Sequence, residues 1–188
     1  MKTRVGAITD DEARFVEVYG RFARPIEAYC ARRTPASQVA DAVSDIFVVA
    51  WRRIDQIPAG DEALPWLYGV AHRVLSHQWR HNVRSRKLIE RLRGLAEVED
   101  CAPEVLLVRN EEHRVVLAAS ARLKPVDQEI LRLTLWEELS HADVAVVLGI
   151  EPTAVKQRAY RARLNLADEY RRLTGERQPP AARKGGGS

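Results

Sequence analysis

The sequence predicts an all-α protein built from two small helical domains. Three observations carry that prediction. Apolar residues recur at intervals of three and four along almost the whole chain, the period of a helix face. No alternating apolar and polar run of the strand type extends beyond a few residues. Between two helical sets lies Gly94–Glu104, which lacks a usable apolar face and carries Glu97, Glu99, Asp100 and Glu104 with no base.

The first set begins at Thr9, which with Glu12 has the spacing of a capping box. Phe15, Tyr19, Phe22, Ile26 and Tyr29 then mark one face of a helix. Val39, Val43, Ile46, Phe47, Ala50, Trp51 and Ile54 form a second stripe, with Ser37 placed to open it. Pro58 and Gly60 mark Asp55–Ala63 as a loop. A third stripe runs through Trp66, Leu67, Val70, Ala71, Val74 and Leu75, with Pro65 suited to its first turn. This helix is expected to continue through Trp79 into a basic stretch. The first domain is therefore predicted over 9–93, followed by an acidic linker over 94–104. Helices over Val105–Leu123, Pro125–Trp136, Ala142–Leu148 and Pro152–Leu173 make a second domain over 105–173. Residues 174–188, ending in Gly-Gly-Gly-Ser, are expected to form a disordered tail. Each domain can bury only a small core and should be marginally stable alone.

Across 188 residues, 30 Lys and Arg face 26 Asp and Glu, a net charge of +4. The blocks matter more than the sum. Arg80–Arg93 holds six bases and one acid, and Lys156–Arg172 holds six bases and two acids. Two basic surfaces separated by an acidic connector suit a polyanionic partner. No signal peptide or membrane span is legible, and Cys30 and Cys101 form no CxxC pair, so a reduced cytoplasm is expected. His77 and His81 stand four apart but lack a third ligand nearby, so no metal is expected. There is no phosphate-binding Gly-rich loop and no nucleophile–base grouping, which argues against an enzyme or a cofactor.

The most specific local pattern lies at Ser140–Leu166. Ser140 and Asp143 have capping-box spacing before a short helix from His141, with Val144, Ala145 and Leu148 facing inward. Gly149 stands where a left-handed residue must stop that helix, Ile150 packs into the crook, and Pro152 opens the next helix. Two short helices joined by such a turn are a helix-turn-helix, whose second helix enters the major groove of DNA. On it Val155, Ala159 and Leu166 point inward, leaving Lys156, Gln157, Arg158 and Arg161 for base edges and phosphates.

The wider sequence resembles the sigma-70 family of RNA polymerase sigma factors, in its small extracytoplasmic-function class. Leu123–Leu133, Glu138–Ala145 and Val155–Arg163 are similar to region four. Asp41–Trp51 resembles the region-two helix that docks on polymerase, and Leu64–Leu75 with Trp79 and Arg80 resembles the helix that reads the minus-ten element. Phe15–Arg33 is similar to the family's opening helix, and no domain stands between the two regions. The resemblance implies core RNA polymerase, promoter DNA and an anti-sigma factor as partners. It implies that Asp41 and Asp45, four apart on one helix face, meet basic residues of the polymerase clamp. It further implies that the 55–63 loop captures an unstacked base, with Gln56 as a hydrogen-bonding candidate, and that Arg80, Arg84, Arg86 and Lys87 hold phosphates.

Phe47 and Trp51 are expected in the core, and Trp79 buried against Leu75 and Val83 rather than stacked on a base. Three positions depart from the family pattern: Ser44, which removes an amide where the family usually has Gln and Glu near Ser44 and Asp45; Arg73, where Asn is usual; and Ala154, where Thr is common. The alternative function is a helix-turn-helix regulator that is not a polymerase subunit.

Overall fold

Thr9 opens the first helix with a reciprocal cap: its hydroxyl accepts from the Glu12 N–H at 3.2 Å, and Glu12 Oε2 accepts from the Thr9 N–H at 2.8 Å. The computed structural model describes residues 9–93 and 111–175, with side chains over 9–80 and 113–175. In chain order the helices are α1 (Asp10–Ala31), α2 (Val39–Arg52), α3 (Ala63–Arg93), α4 (Glu111–Ala121), α5 (Pro125–Leu135), α6 (His141–Leu148) and α7 (Pro152–Thr174). Short 3-10 turns lie at Ala36–Gln38, Ile54–Gln56 and Gly60–Glu62. The described residues contain no strand, so the chain is all-α as expected. The linker 94–104, Cys101, residues 105–110 and the tail from 176 lie outside the described residues.

By packing, the described residues divide into two units. The first comprises α1, α2, α3 and residues 139–151, which hold α6; the second comprises α4, α5 and α7. This grouping differs from the two halves expected in chain order. The eight residues of α6 are too few to be stable without packing partners, and α6 packs on α3. A Cβ on the buried Gly69 of α3 would stand 3.6 Å from the Val147 Cα, an ordinary contact distance.

The core of the first unit joins Phe22, Ile26 and Tyr29 of α1 to Ile46, Phe47 and Ala50 of α2 and to Leu67, Tyr68 and Ala71 of α3. Each fully buried aliphatic or aromatic side chain contributes roughly 1.5–3 kcal/mol. Tyr29 and Tyr68 meet at 5.1 Å between ring centres, tying α1 to α3. Phe15 meets the edges of Phe47 and Trp51, and Tyr19 lies 4.7 Å from Phe47.

Three local expectations are corrected. Ser37 does not open α2: Pro35 starts a 3-10 turn that contains Ser37, and Gln38 takes the cap position without a side-chain bond. Trp51 is 42% exposed, resting edge-on against Phe15 at the rim of the core. Trp79 is 61% exposed. The last fully buried described side chain of α3 is Ala71, and Trp79 stands two turns beyond it.

In the second unit α7 packs on both α4 and α5. Leu123, Leu131 and Ala162 form a buried cluster with Leu166 against it. Pro125 occupies the start of α5, and the Gln128 side-chain amide donates to the Leu123 carbonyl at 2.9 Å, satisfying the incoming chain. Among the described residues no helix is long and apolar enough to cross a membrane.

Candidate nucleic-acid interface

The turn between α6 and α7 forms from strictly local chemistry. The Ser140 hydroxyl accepts from the Asp143 N–H at 3.1 Å, capping α6. The reciprocal half of the expected capping box is different. The Asp143 carboxylate accepts from the Ser140 hydroxyl at 2.6 Å instead of from the Ser140 backbone. Asp is one methylene shorter than the Glu that makes the box at Thr9. Gly149 ends α6 at φ 65°, ψ 39°, the left-handed region, and the Ile150 N–H donates to the Ala145 carbonyl at 3.1 Å. Pro152 begins α7, where its missing N–H leaves no bond unmade.

On α7, Val155, Ala159 and Ala162 are fully buried and Leu166 is partly buried, which fixes the helix's rotation. With each residue advancing about 100°, Thr153, Gln157, Tyr160 and Leu164 fall at the middle of the exposed arc. Lys156 lies toward one edge, and Arg161 toward the other. Arg161 donates through Nε to the Gln157 carbonyl at 3.4 Å, a weak tether along the helix. Arg158 is half-buried beyond that edge, nearer the packed face. Thus Lys156, Gln157 and Arg161 share one solvent-facing surface, and Arg158 flanks it.

Tyr160 is a surface residue that a reading by charge misses. It is 64% exposed and lies between Lys156 and Arg161 on the arc, but carries no charge to mark it. Its spacing of three from Gln157 and four from Lys156 is the signal that finds it. Ala154, the family departure on this helix, is half-buried.

In the first unit α2 turns a second face to solvent. Asp41, Ser44, Asp45 and Arg52 are exposed, with Val48 at 47% and Trp51 at 42%. Asp41 sits in the first turn of α2, where its charge also suits the helix dipole. Ser44 turns back on its own helix, its hydroxyl donating to the Ala40 carbonyl at 2.9 Å. The acidic pair is therefore exposed on a face that also presents apolar area.

The loop from Ile54 to Glu62 is held by buried Ile54 and Ile57, while Asp55, Gln56, Asp61 and Glu62 are exposed. Arg80 is exposed on α3 and donates through Nε to the Ser76 carbonyl at 3.1 Å. Arg84, Arg86 and Lys87 belong to α3, but their side chains lie outside the described residues. Arg73 is exposed, its guanidinium nitrogens 3.6 Å from where a Gly69 Cβ would be. Cys30 is fully buried, and burial pushes its thiol up to about 11, so it remains protonated at neutral pH. The described residues hold no group of three metal-ligating side chains.

Two family models match this chain. Sigma-70 region 2 matches residues 18–85, and Sigma-70, region 4 matches residues 113–166. The RNA polymerase sigma factor NccH of Alcaligenes xylosoxydans xylosoxydans is 30% identical over 169 residues, covering 85% of this chain and 88% of that protein. The RNA polymerase sigma factor YlaC of Bacillus subtilis is 28% identical over 152 residues, covering 80% and 88%. Among solved structures, the sigma factor RpoE of Bartonella quintana, crystallised with the anti-sigma factor NepR, shares the fold with a TM-score of 0.60 at 20% identity, covering 87% of this chain and 98% of that one. The region-two match falls on α1–α3 and the region-four match on α4–α7, in the family's order, and the chain belongs to the sigma-70 family of RNA polymerase sigma factors, in its small extracytoplasmic-function class.

Proposed function

We propose that the chain directs core RNA polymerase to promoters by dividing the work between its two units. The observation that carries this reading is the presence, on one chain, of both family regions, each with an exposed face suited to its task. Asp41 and Asp45 on α2 meet basic residues of the polymerase clamp, with Val48 and Trp51 supplying apolar area beside them. The loop holding Gln56 takes up an unstacked base of the opened strand. Arg80, Arg84, Arg86 and Lys87 hold phosphates near it, which gives affinity without reading sequence. Lys156, Gln157 and Arg161 read base edges of the upstream element, and Arg158, set to the side of that arc, holds phosphate. The protein acts by binding, without catalysis or a cofactor, in the cytoplasm. The fold shared with RpoE, solved with NepR, supports an anti-sigma factor as a further partner.

A helix-turn-helix regulator would bind its operator unaided, whereas this reading makes tight promoter binding conditional on polymerase. Mobility-shift titration of a promoter fragment with the chain alone, core enzyme alone and both together tests it. A specific, heparin-resistant complex is expected only with both. Equally tight, specific binding by the chain alone would support the regulator instead.

A further inference from the structure

We infer that Arg14 and Arg21 of α1 are positioning residues that set the 54–62 loop before DNA arrives. The inference rests on the reading of that loop as the site of base capture. Arg14 donates through a terminal guanidinium nitrogen to the Ile57 carbonyl, and Arg21 forms an ion pair with Asp61. The two arginines stand seven apart, about two turns or roughly 10 Å along one face of α1. Val18, between them on that face, is buried. One face of α1 thus grips the loop twice, near its middle and near its end.

The loop needs such a grip. Its regular structure is limited to 3-10 turns at Ile54–Gln56 and Gly60–Glu62, which are short and have poorer hydrogen-bond geometry than an α-helix. Gly60 sits at φ 61° with open space around its missing side chain, so packing does not fix that point. Buried Ile54 and Ile57 hold the backbone on either side of Gln56. Fixing the Ile57 carbonyl therefore fixes the Ile57–Pro58 peptide, one residue beyond the exposed candidate for base contact, and with it the end of the segment that carries Gln56. A capture site organised in advance loses less freedom when the base enters.

The two contacts are unequal. Arg14 is half-buried, and its bond joins a charged donor to a backbone carbonyl, one of the stronger kinds. The Arg21–Asp61 side chains are 46% and 93% exposed, so water and salt weaken that pair. Its second effect is electrostatic: a base beside Asp61 offsets part of the charge that Asp55, Asp61 and Glu62 present to a DNA strand. Arg14 is assigned the larger share of positioning and Arg21 the smaller.

The test uses holoenzyme assembled from core polymerase and the full chain, with a fluorescent non-template-strand oligonucleotide from a promoter the holoenzyme transcribes. Each base of its minus-ten segment is varied in turn. Arg14→Ala is expected to weaken binding of the preferred oligonucleotide about tenfold and to flatten preference at one base. Arg21→Ala should weaken it no more than about threefold. Arg14→Lys, which keeps a charged donor, should restore part of the preference, and core binding should be unchanged throughout. If Gln56→Ala or Asp55→Ala alters base preference while Arg14→Ala does not, capture stands and the positioning role is overturned. If none of the loop variants alters preference at any base, the capture reading fails and takes this inference with it. An equal fall in core and oligonucleotide binding for Arg14→Ala would show that it supports the whole unit, and would also overturn the inference.

Discussion

Gln78 on α3 donates through its side-chain amide to Oδ2 of Asp45 on α2, at 3.0 Å. The bond joins the helix assigned to polymerase docking with the helix assigned to the minus-ten element. A neutral amide donor satisfies one lone pair of a carboxylate without cancelling its charge. Asp41, one turn earlier, is exposed on the same arc.

Asp41→Lys with Asp45→Lys should therefore lower affinity for core polymerase at least tenfold, since like charges at a docked surface cost several kcal/mol. Gln78→Ala, which removes only the neutral partner, should change that affinity by less than about threefold. Fluorescence titration against labelled core enzyme measures both, with circular dichroism to check helicity. Unchanged affinity in the double reversal would remove α2 from the interface.

Promoter binding by the holoenzyme should weaken steeply with salt. Replacing Arg84, Arg86 and Lys87 with Ala should reduce the slope of log affinity against log salt by roughly 0.9 for each phosphate no longer neutralised. Sequence preference should be retained. A wild-type slope in the triple variant would turn this part of α3 away from DNA.

On α7 the variants should separate into two patterns. Arg161→Ala should relax preference at particular upstream base pairs, by about 1–3 kcal/mol where the side chain pairs bidentately with a base. Arg158→Ala should weaken all sequences together. Tyr160→Ala should behave like Arg161→Ala, because Tyr160 stands between Lys156 and Arg161 on the exposed arc. Transcription from a library randomised in the upstream element distinguishes these outcomes.

Two backbone positions should respond with opposite signs. Gly149 has φ 65° and nothing within 4 Å of an added Cβ, so Gly149→Ala should cost about 1–2 kcal/mol from backbone strain alone. Glu138 occupies φ 53° without being glycine. There Glu138→Gly should be neutral or stabilising by up to about 1 kcal/mol, relieved strain offsetting the freedom gained by the unfolded chain. Urea denaturation of the purified variants measures both.

The features legible in the sequence are those whose chemistry is confined to a few neighbouring residues. The Thr9–Glu12 box, the left-handed Gly149 and the helix-opening Pro125 and Pro152 each need only their immediate chain. The inward positions Val155 and Ala159 follow from period alone and rotate α7 correctly. Periodicity says which face is apolar but not where the neighbouring helix stops, so Trp51 and Trp79, expected inside, stand substantially exposed. Tyr160 shows that position on a helix can mark a surface residue where charge does not. Arg14 and Ile57 lie 43 residues apart, and no local pattern links a helix arginine to a loop carbonyl. The packing of α6 on α3 is hidden for the same reason, since a short apolar helix does not state its partner.

The most direct measurement is run-off transcription with purified core RNA polymerase, this chain and a pool of genomic promoter fragments. Discrete transcripts are expected that start at defined sites, share sequence elements upstream, and depend on the chain. In the same assay the Asp41→Lys, Asp45→Lys double variant should lose those transcripts. Transcripts that are identical with and without the chain, at concentrations where it is folded and core is active, would show that it does not direct initiation.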